Sequence, residues 1–166
     1  MRPSKRIIVV LGMHRSGTSA VTCGLTALGV DLGNKLLPPV EGINAKGFFE
    51  DIDIYAFNME ILQAINSDWH CLAPIEPHDI ETLNQKGYFL RAVDLLRRKT
   101  AGTPIFGFKD PRLAKLLPFW KPIFIHCGFD ISYVLAIRNP LSIARSLANR
   151  DGFSHEKVIC YGWVMS

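Results

Sequence analysis

The sequence lacks the spacings that hold metals: it has no Cys-x-x-Cys pair, no His-Glu-x-x-His and no calcium loop. That excludes the common structural-zinc, zinc-hydrolase and calcium-sensor motifs. No apolar run reaches the roughly 20 residues that a membrane-spanning helix needs. The apolar run nearest the start, Ile7 to Leu11, is too short for a secretory leader and continues into a glycine turn. Internal repeats and low-complexity tracts are missing. The basic residues are dispersed and no aromatic–basic motif accompanies them, so nucleic acid is not an expected partner. Cysteine is scarce, and Cys23, Cys71, Cys127 and Cys160 are widely separated. Free thiols in a reducing, cytoplasmic compartment are the expectation, with Cys23 and Cys160 as small buried residues of helices.

What remains is an ordinary globular balance. The 166 residues, 48% of them hydrophobic, suffice for one domain, 1–166, with a substantial core. A net charge of +4 suits an anionic ligand.

The most informative stretch is Ile7 to Ser19, IIVVLGMHRSGTS. Four β-branched residues and a leucine predict a buried strand over about 6–12, which runs into Gly12, four spacers, and Gly17-Thr18-Ser19. A helix over about 20–28 follows. A strand, a glycine-bounded turn and a helix N-terminus make an anion cradle, because backbone N–H groups and the helix dipole point the same way. The residue after Gly17 is Thr18, where an ATP/GTP loop carries the lysine that reaches the β- and γ-phosphates. The cation here is Arg15, inside the turn, and a guanidinium offers a planar fork of donors.

Two further segments deliver cations to strand ends. Ile131 to Ile137 reads as a strand covered on both faces. Arg138 stands at its carboxyl end, Asn139 is a suitable N-cap and Pro140 a suitable first helical residue. The helix runs to about Arg150, with Ser142 and Ser146 on one face. Ile105 to Phe108 reads as a third strand, followed by Lys109-Asp110-Pro111-Arg112, with Asp110 free to pair with either neighbouring cation. Ligands in open α/β sheets bind beyond the carboxyl ends of the strands, so Arg15, Lys109 and Arg138 are expected on one rim.

Arg15-Ser16-Gly17-Thr18-Ser19 resembles the 5′-phosphosulfate loop of sulfotransferases that use 3′-phosphoadenosine 5′-phosphosulfate (PAPS). Arg138 and Ser146, eight apart, resemble that family's 3′-phosphate motif, and Lys109-Asp110-Pro111 is similar to a segment of tyrosylprotein sulfotransferases. The resemblance spans roughly residues 7–150 and is thin between the motifs. It implies a P-loop NTPase-like fold, three layers (α/β/α) around a mainly parallel sheet. It implies transfer of a sulfuryl group from PAPS, without metal, to a hydroxyl or amine of a small molecule, carbohydrate or peptide. Arg15, Ser16, Gly17, Thr18, Ser19, Arg138 and Ser146 would bind the donor, and Arg15 and Lys109 would stabilise charge as the bond breaks. The base is expected to be Glu50, in KGFFED ahead of a helix over about 52–65; Glu41, His14, His70 and His126 are the other options. A P-loop kinase or NTPase without its Walker lysine, with Asp110 organising magnesium, and a non-catalytic binding module remain alternatives.

The connecting segments carry weaker signals. Residues 29–47 predict a long loop lining an acceptor pocket with Leu36, Leu37, Phe48 and Phe49, and a fourth short strand is open near Val30. Residues 69–77 predict a second loop. Asp79 is expected to cap one helix over about 80–99, with Leu83, Leu90, Val93 and Leu96 as its core stripe, and another helix is expected over 117–127. A final helical pattern begins near Ser154 and has no C-cap signal before Ser166. The domain is therefore expected to be incomplete at its C-terminus, since the resemblance implies a later segment that clasps the 3′-phosphate and adenine.

Overall fold

A computed structural model describes residues 5–71 and 73–152. Among the described residues the chain is a mixed α/β fold with three parallel strands and six helices. They run in the order β1 (Arg6–Leu11), α1 (Thr18–Thr26), α2 (Ile52–Ala64), α3 (Pro77–Gln85), α4 (Tyr88–Lys99), β2 (Ile105–Lys109), α5 (Leu113–His126), β3 (Asp130–Leu135) and α6 (Pro140–Asp151). The helix expected from Ser154, Cys160 and the C-terminal boundary lie outside the described residues.

β1 is the central strand of the order β2-β1-β3, paired parallel on both sides. Its period-two alternation feeds two faces. Ile7, Val9 and Leu11 enter the main core with Ile61, Leu62, Leu96, Leu116 and Trp120 from α2, α4 and α5. Val10 points the other way, into a smaller cluster with Leu25 of α1, Val30 and Leu32. β1 is thus apolar on both faces, as a parallel central strand must be. The register sets Val10 beside Lys109 and Leu11 beside Leu135, so all three strands terminate at one edge.

Several elements differ from the sequence expectation. Near Val30 there is no fourth strand, only a single bridge in which the Asp31 N–H donates to Ile105 (3.1 Å) and Gly107 donates to Asp31 (2.8 Å). The single helix expected over 80–99 is two, because Gly87 takes a left-handed φ of 79° that ends one and starts the other. That break leaves Leu90 66% exposed, while Leu83, Val93 and Leu96 are buried as expected. Glu76, not Asp79, caps α3; Asp79 sits at N3 and accepts from the Glu76 N–H (2.9 Å), a capping box. α5 begins at Leu113, earlier than expected, and runs through Pro118 and Pro122. β3 stops at Leu135 and is not covered on both faces: Leu135 and Ile137 are 60% and 80% exposed, because β1 is its one strand neighbour among the described residues. Cys23 is exposed rather than buried.

The corrected packing makes a sharp contrast between two leucines of α4. Leu96→Ala removes a fully buried side chain and should cost about 2–5 kcal/mol. Leu90→Ala should stay within about 0.5 kcal/mol. Urea denaturation of the two variants checks this, and equal losses would contradict the break at Gly87.

Candidate functional site

The turn after β1 is forced by Gly12. Its φ is 149°, and a Cβ there would meet the Ala136 carbonyl oxygen at 2.7 Å and Ser16 Oγ at 2.8 Å. Ser16 closes the turn, its hydroxyl and N–H both reaching the Met13 carbonyl at 2.7 and 3.1 Å. Arg15 takes a left-handed φ of 69°, and Gly17 caps α1 in the same region. The first N–H groups of α1, from Thr18 and Ser19, have no carbonyl a turn earlier within the helix, so they face outward at its positive end.

The other strand ends converge on this cradle. Lys109, the last residue of β2, is 3% exposed and places all three ammonium donors. It donates to Glu50 Oε1 at 2.6 Å, the Phe48 carbonyl at 2.9 Å and Ser19 Oγ at 3.3 Å. Arg138, three residues beyond β3, donates to the Arg15 carbonyl at 3.0 Å. Arg15 Nε donates to Ser146 Oγ on α6 at 2.8 Å, across 131 residues of sequence. The two groups assigned to opposite ends of a donor are therefore tied to each other.

Glu50 is held from behind. Asp51 caps α2, accepting from the Asp53 and Ile54 N–H groups at 3.0 and 3.1 Å, and its other oxygen accepts from Lys99 at 2.7 Å. Burial pushes the Glu50 carboxyl up, Lys109 opposes that, and the nearby Asp110 charge adds to it; the net direction is upward. Asp110 is fully engaged. One oxygen accepts from Asn58 Nδ2 (2.9 Å), the other from the backbone and side chain of Arg112 (2.9 and 2.7 Å). Asn58 in turn accepts from the Trp120 indole at 2.9 Å, which links this cluster to the core. The Arg112 guanidinium lies 4.7 Å from the Tyr55 ring centroid and 3.8 Å from Glu50 Oε2.

A cleft of about 850 Å³ opens at these strand ends. Arg15, Gly17, Thr18, Ser19, Glu50, Lys109 and Arg138 all line it. Ser146 stands one hydrogen bond behind it, through Arg15, and Ser16 does not line it but bonds to the Met13 carbonyl. Of the other proposed bases, His14 lines the cleft, its ring tilted by 60° against Trp69 at a centroid distance of 4.8 Å, while Glu41, His70 and His126 lie outside it. Leu37, Phe48 and Phe49 form part of one wall, as expected, but Leu36 does not and packs instead on the cluster of Val10, Leu25, Val30 and Leu32. Tyr55, Trp69, Lys46 and Arg150 also line it and had no distinguishing pattern in the sequence. Asn58 had one faint signal, a lone amide in the apolar run of α2. Among the described residues, no three His, Cys, Asp or Glu side chains converge as metal ligands. Comparison with known proteins adds no relative: no family model matches the chain, nor does any curated protein or solved structure.

The buried pair makes a pH-dependent prediction. Lys109→Met leaves the buried Glu50 carboxylate without its hydrogen-bonded cation and with only Arg112 at 3.8 Å, and should cost up to about 3–5 kcal/mol near neutral pH. A carboxyl whose folded pKa is raised binds its proton more tightly folded than unfolded, so the penalty is full above that raised value. It should shrink as pH falls through it toward the ordinary carboxylate range. Urea midpoints measured across mildly acidic to neutral pH check both size and sign.

Proposed function

We propose that this chain is a PAPS-dependent sulfotransferase with a P-loop NTPase-like α/β/α fold, moving a sulfuryl group to a hydroxyl or amine acceptor. The observation that carries the reading is the convergence, on one cleft, of Arg15, Lys109 and Arg138 from three parallel strand ends, with buried Glu50 against Lys109. Arg15, Gly17, Thr18 and Ser19 take the phosphosulfate end, with Ser16 bracing their turn. Arg138 and Ser146 take the ribose 3′-phosphate. The acceptor enters along Leu37, Phe48, Phe49 and Tyr55 and is a small molecule, carbohydrate or peptide.

In the reaction the acceptor oxygen attacks sulfur and its proton passes to the Glu50 carboxylate. The bond from sulfur to the bridging oxygen breaks, and its electron pair stays on the 5′-phosphate of the departing adenosine 3′,5′-bisphosphate. Lys109 and Arg15 stabilise that charge as it forms, an electrostatic role paid for in advance by the folded cleft. A raised Glu50 pKa brings this base toward neutrality, where general-base catalysis works best. No helix among the described residues is long and apolar enough to cross a membrane. The reading carries a cytoplasmic location with it, supported by the free thiols of Cys23, Cys71 and Cys127.

The magnesium-dependent kinase alternative is disfavoured by Asp110, whose two oxygens are occupied by Asn58 and Arg112. A non-catalytic module is separated from an enzyme only by turnover.

Adenosine 3′,5′-bisphosphate without metal should raise the melting temperature well above any effect of ATP with magnesium. A hundredfold excess over Kd adds about 2.7 kcal/mol. Arg138→Ala should weaken the bisphosphate about tenfold or more, as should Ser146→Ala. Glu50→Gln should bind it normally and lower kcat by roughly 10²–10⁴. No shift with the bisphosphate, or a larger one with magnesium-ATP, defeats the assignment.

A further inference from the structure

The segment from Val40 to Glu50 crosses the mouth of the cradle as a strap. Its base is firm: Leu37 donates to the Glu50 carbonyl and Ile52 to the Lys35 carbonyl, both at 2.8 Å. Its tip is not. Residues 41–43, 45 and 46 are exposed, and the tip's own bonds are short turns, such as Asn44 N–H to the Val40 carbonyl at 2.8 Å. Phe49, near the base, packs on the cluster of Val10, Leu25, Val30 and Leu32, whereas the exposed tip joins no apolar cluster.

What holds it is the cradle. Arg15 donates to the Ile43 carbonyl at 3.3 Å, and Asn44 donates to Ser19 Oγ at 3.4 Å. The Ser19 hydroxyl donates to the Phe48 carbonyl at 3.2 Å, and Lys109 donates to the same carbonyl at 2.9 Å. Ser19 has a single O–H, and it is spent on the strap. The Lys109 ammonium has three donors, and all are spent on Ser19, Phe48 and Glu50. Between the two residues so gripped, Phe49 sits at a φ of 55°. That is a strained conformation for a bulky side chain, and such a residue persists only where its surroundings enforce it. Here the surroundings are Lys109 on Phe48, Lys109 on Glu50, and the apolar cluster of Val10, Leu25, Val30 and Leu32 against which the Phe49 ring packs.

An oxyanion arriving at the start of α1 needs the Ser19 hydroxyl and a Lys109 donor, the groups that close the strap. Charge-assisted bonds to an anion are stronger than bonds to a neutral carbonyl. We propose that residues 40–50 are a strap latched by Ser19 and Lys109, and that an oxyanion bound in the cradle takes over these donors and releases it. Release frees the Phe48 carbonyl and lets Phe49 leave its left-handed conformation. Phe48, Phe49 and Leu37 line the acceptor side of the cleft. The acceptor wall therefore rearranges only after the anionic donor is seated, which sets a donor-first order. The inference rests on the cradle being an anion site, one part of the reading above, and not on the identity of the nucleotide.

Hydrogen exchange on the whole chain tests it, with adenosine 3′,5′-bisphosphate, ATP and inorganic sulfate as separate probes. Each anion that binds should slow the amides of residues 16–22 and, in the same sample, speed those of 40–47 by about tenfold, since exchange reports local opening. Ser19→Ala, which removes both a donor and an acceptor of the latch, should speed residues 40–47 threefold or more with no anion present. Slower exchange of the strap on anion binding would overturn the proposal, because the strap would then be closing on its ligand. So would unchanged strap exchange in Ser19→Ala. If sulfate releases the strap while the bisphosphate is no better than ATP, the latch stands and the PAPS reading falls. If the bisphosphate binds selectively and the strap tightens, the reverse holds. Failure of every anion to protect residues 16–22 overturns both.

Discussion

The buried ion pair between Lys109 and Glu50 is the constraint on which the site depends. It joins the end of β2 to the entry of α2 across a 2.6 Å contact from which water is almost excluded. Two charges so placed cannot be separated without leaving one stranded in a poorly polarisable environment. Each partner is fixed from outside the pair. Lys109 is set by its register against Val10, and Glu50 by the Asp51 cap that Lys99 clamps. The pair thus converts sheet register and helix capping into the position of a cation and a carboxylate at one cleft wall.

A second chain of contacts runs deeper. The Trp120 indole donates to Asn58, Asn58 to Asp110, and Asp110 accepts Arg112, which lies beside Glu50. Each polar group in that line has a partner, so the network adds rigidity rather than frustration. It anchors the 110–112 turn to an aromatic cluster in which Trp120 stacks on Phe124 and Phe108 meets both at steep angles. The Lys109 side of the cleft is therefore built on buried aromatic side chains of the main core. The strap side is built on exposed turns. Such a division of labour suits a site in which one wall holds charge and the other rearranges.

The parts legible in the sequence were those written locally. The alternation of Ile7 to Leu11 and the glycines that follow identify strand, turn and helix within a few residues of each other. Asn139 and Pro140 likewise announce α6, and Asn139 accepts from Leu141 and Ser142 as an N-cap does. The convergence of Arg15, Lys109 and Arg138 was readable because parallel strands share a carboxyl edge. What escaped was set by tertiary context. An apolar stripe through Leu83, Leu90 and Val93 looks continuous on a helical template, and a lone Gly87 is tolerated by that template, so the break is invisible until packing decides it. β3 is as apolar as a two-faced strand, yet its burial depends on neighbours, not on its own residues. The bond from Arg15 to Ser146 and the strained Phe49 depend on how loops meet, which no spacing encodes.

The distribution of buried charge adds a last argument. Among the described residues, the buried charged side chains are Glu50, Asp51, Lys109, Asp110 and Arg112. They come from two short stretches of sequence, and four of them lie in a continuous set of contacts at the carboxyl edge of the sheet. Buried ion pairs of this kind are poor sources of stability, because apolar replacements of similar volume are often neutral or stabilising. If stability were the only demand, this edge would be filled like the rest of the core, with phenylalanine and leucine. Its charge is instead concentrated where the strands end and where α1 presents free N–H groups. A cluster of charges and backbone N–H groups fixed by the sheet edge favours an incoming anion, because the wall that carries the charge is already in place when it binds. Among the described residues, the cost of keeping charge out of water falls mainly at the carboxyl edge of the sheet, the place where the proposed donor site would use it.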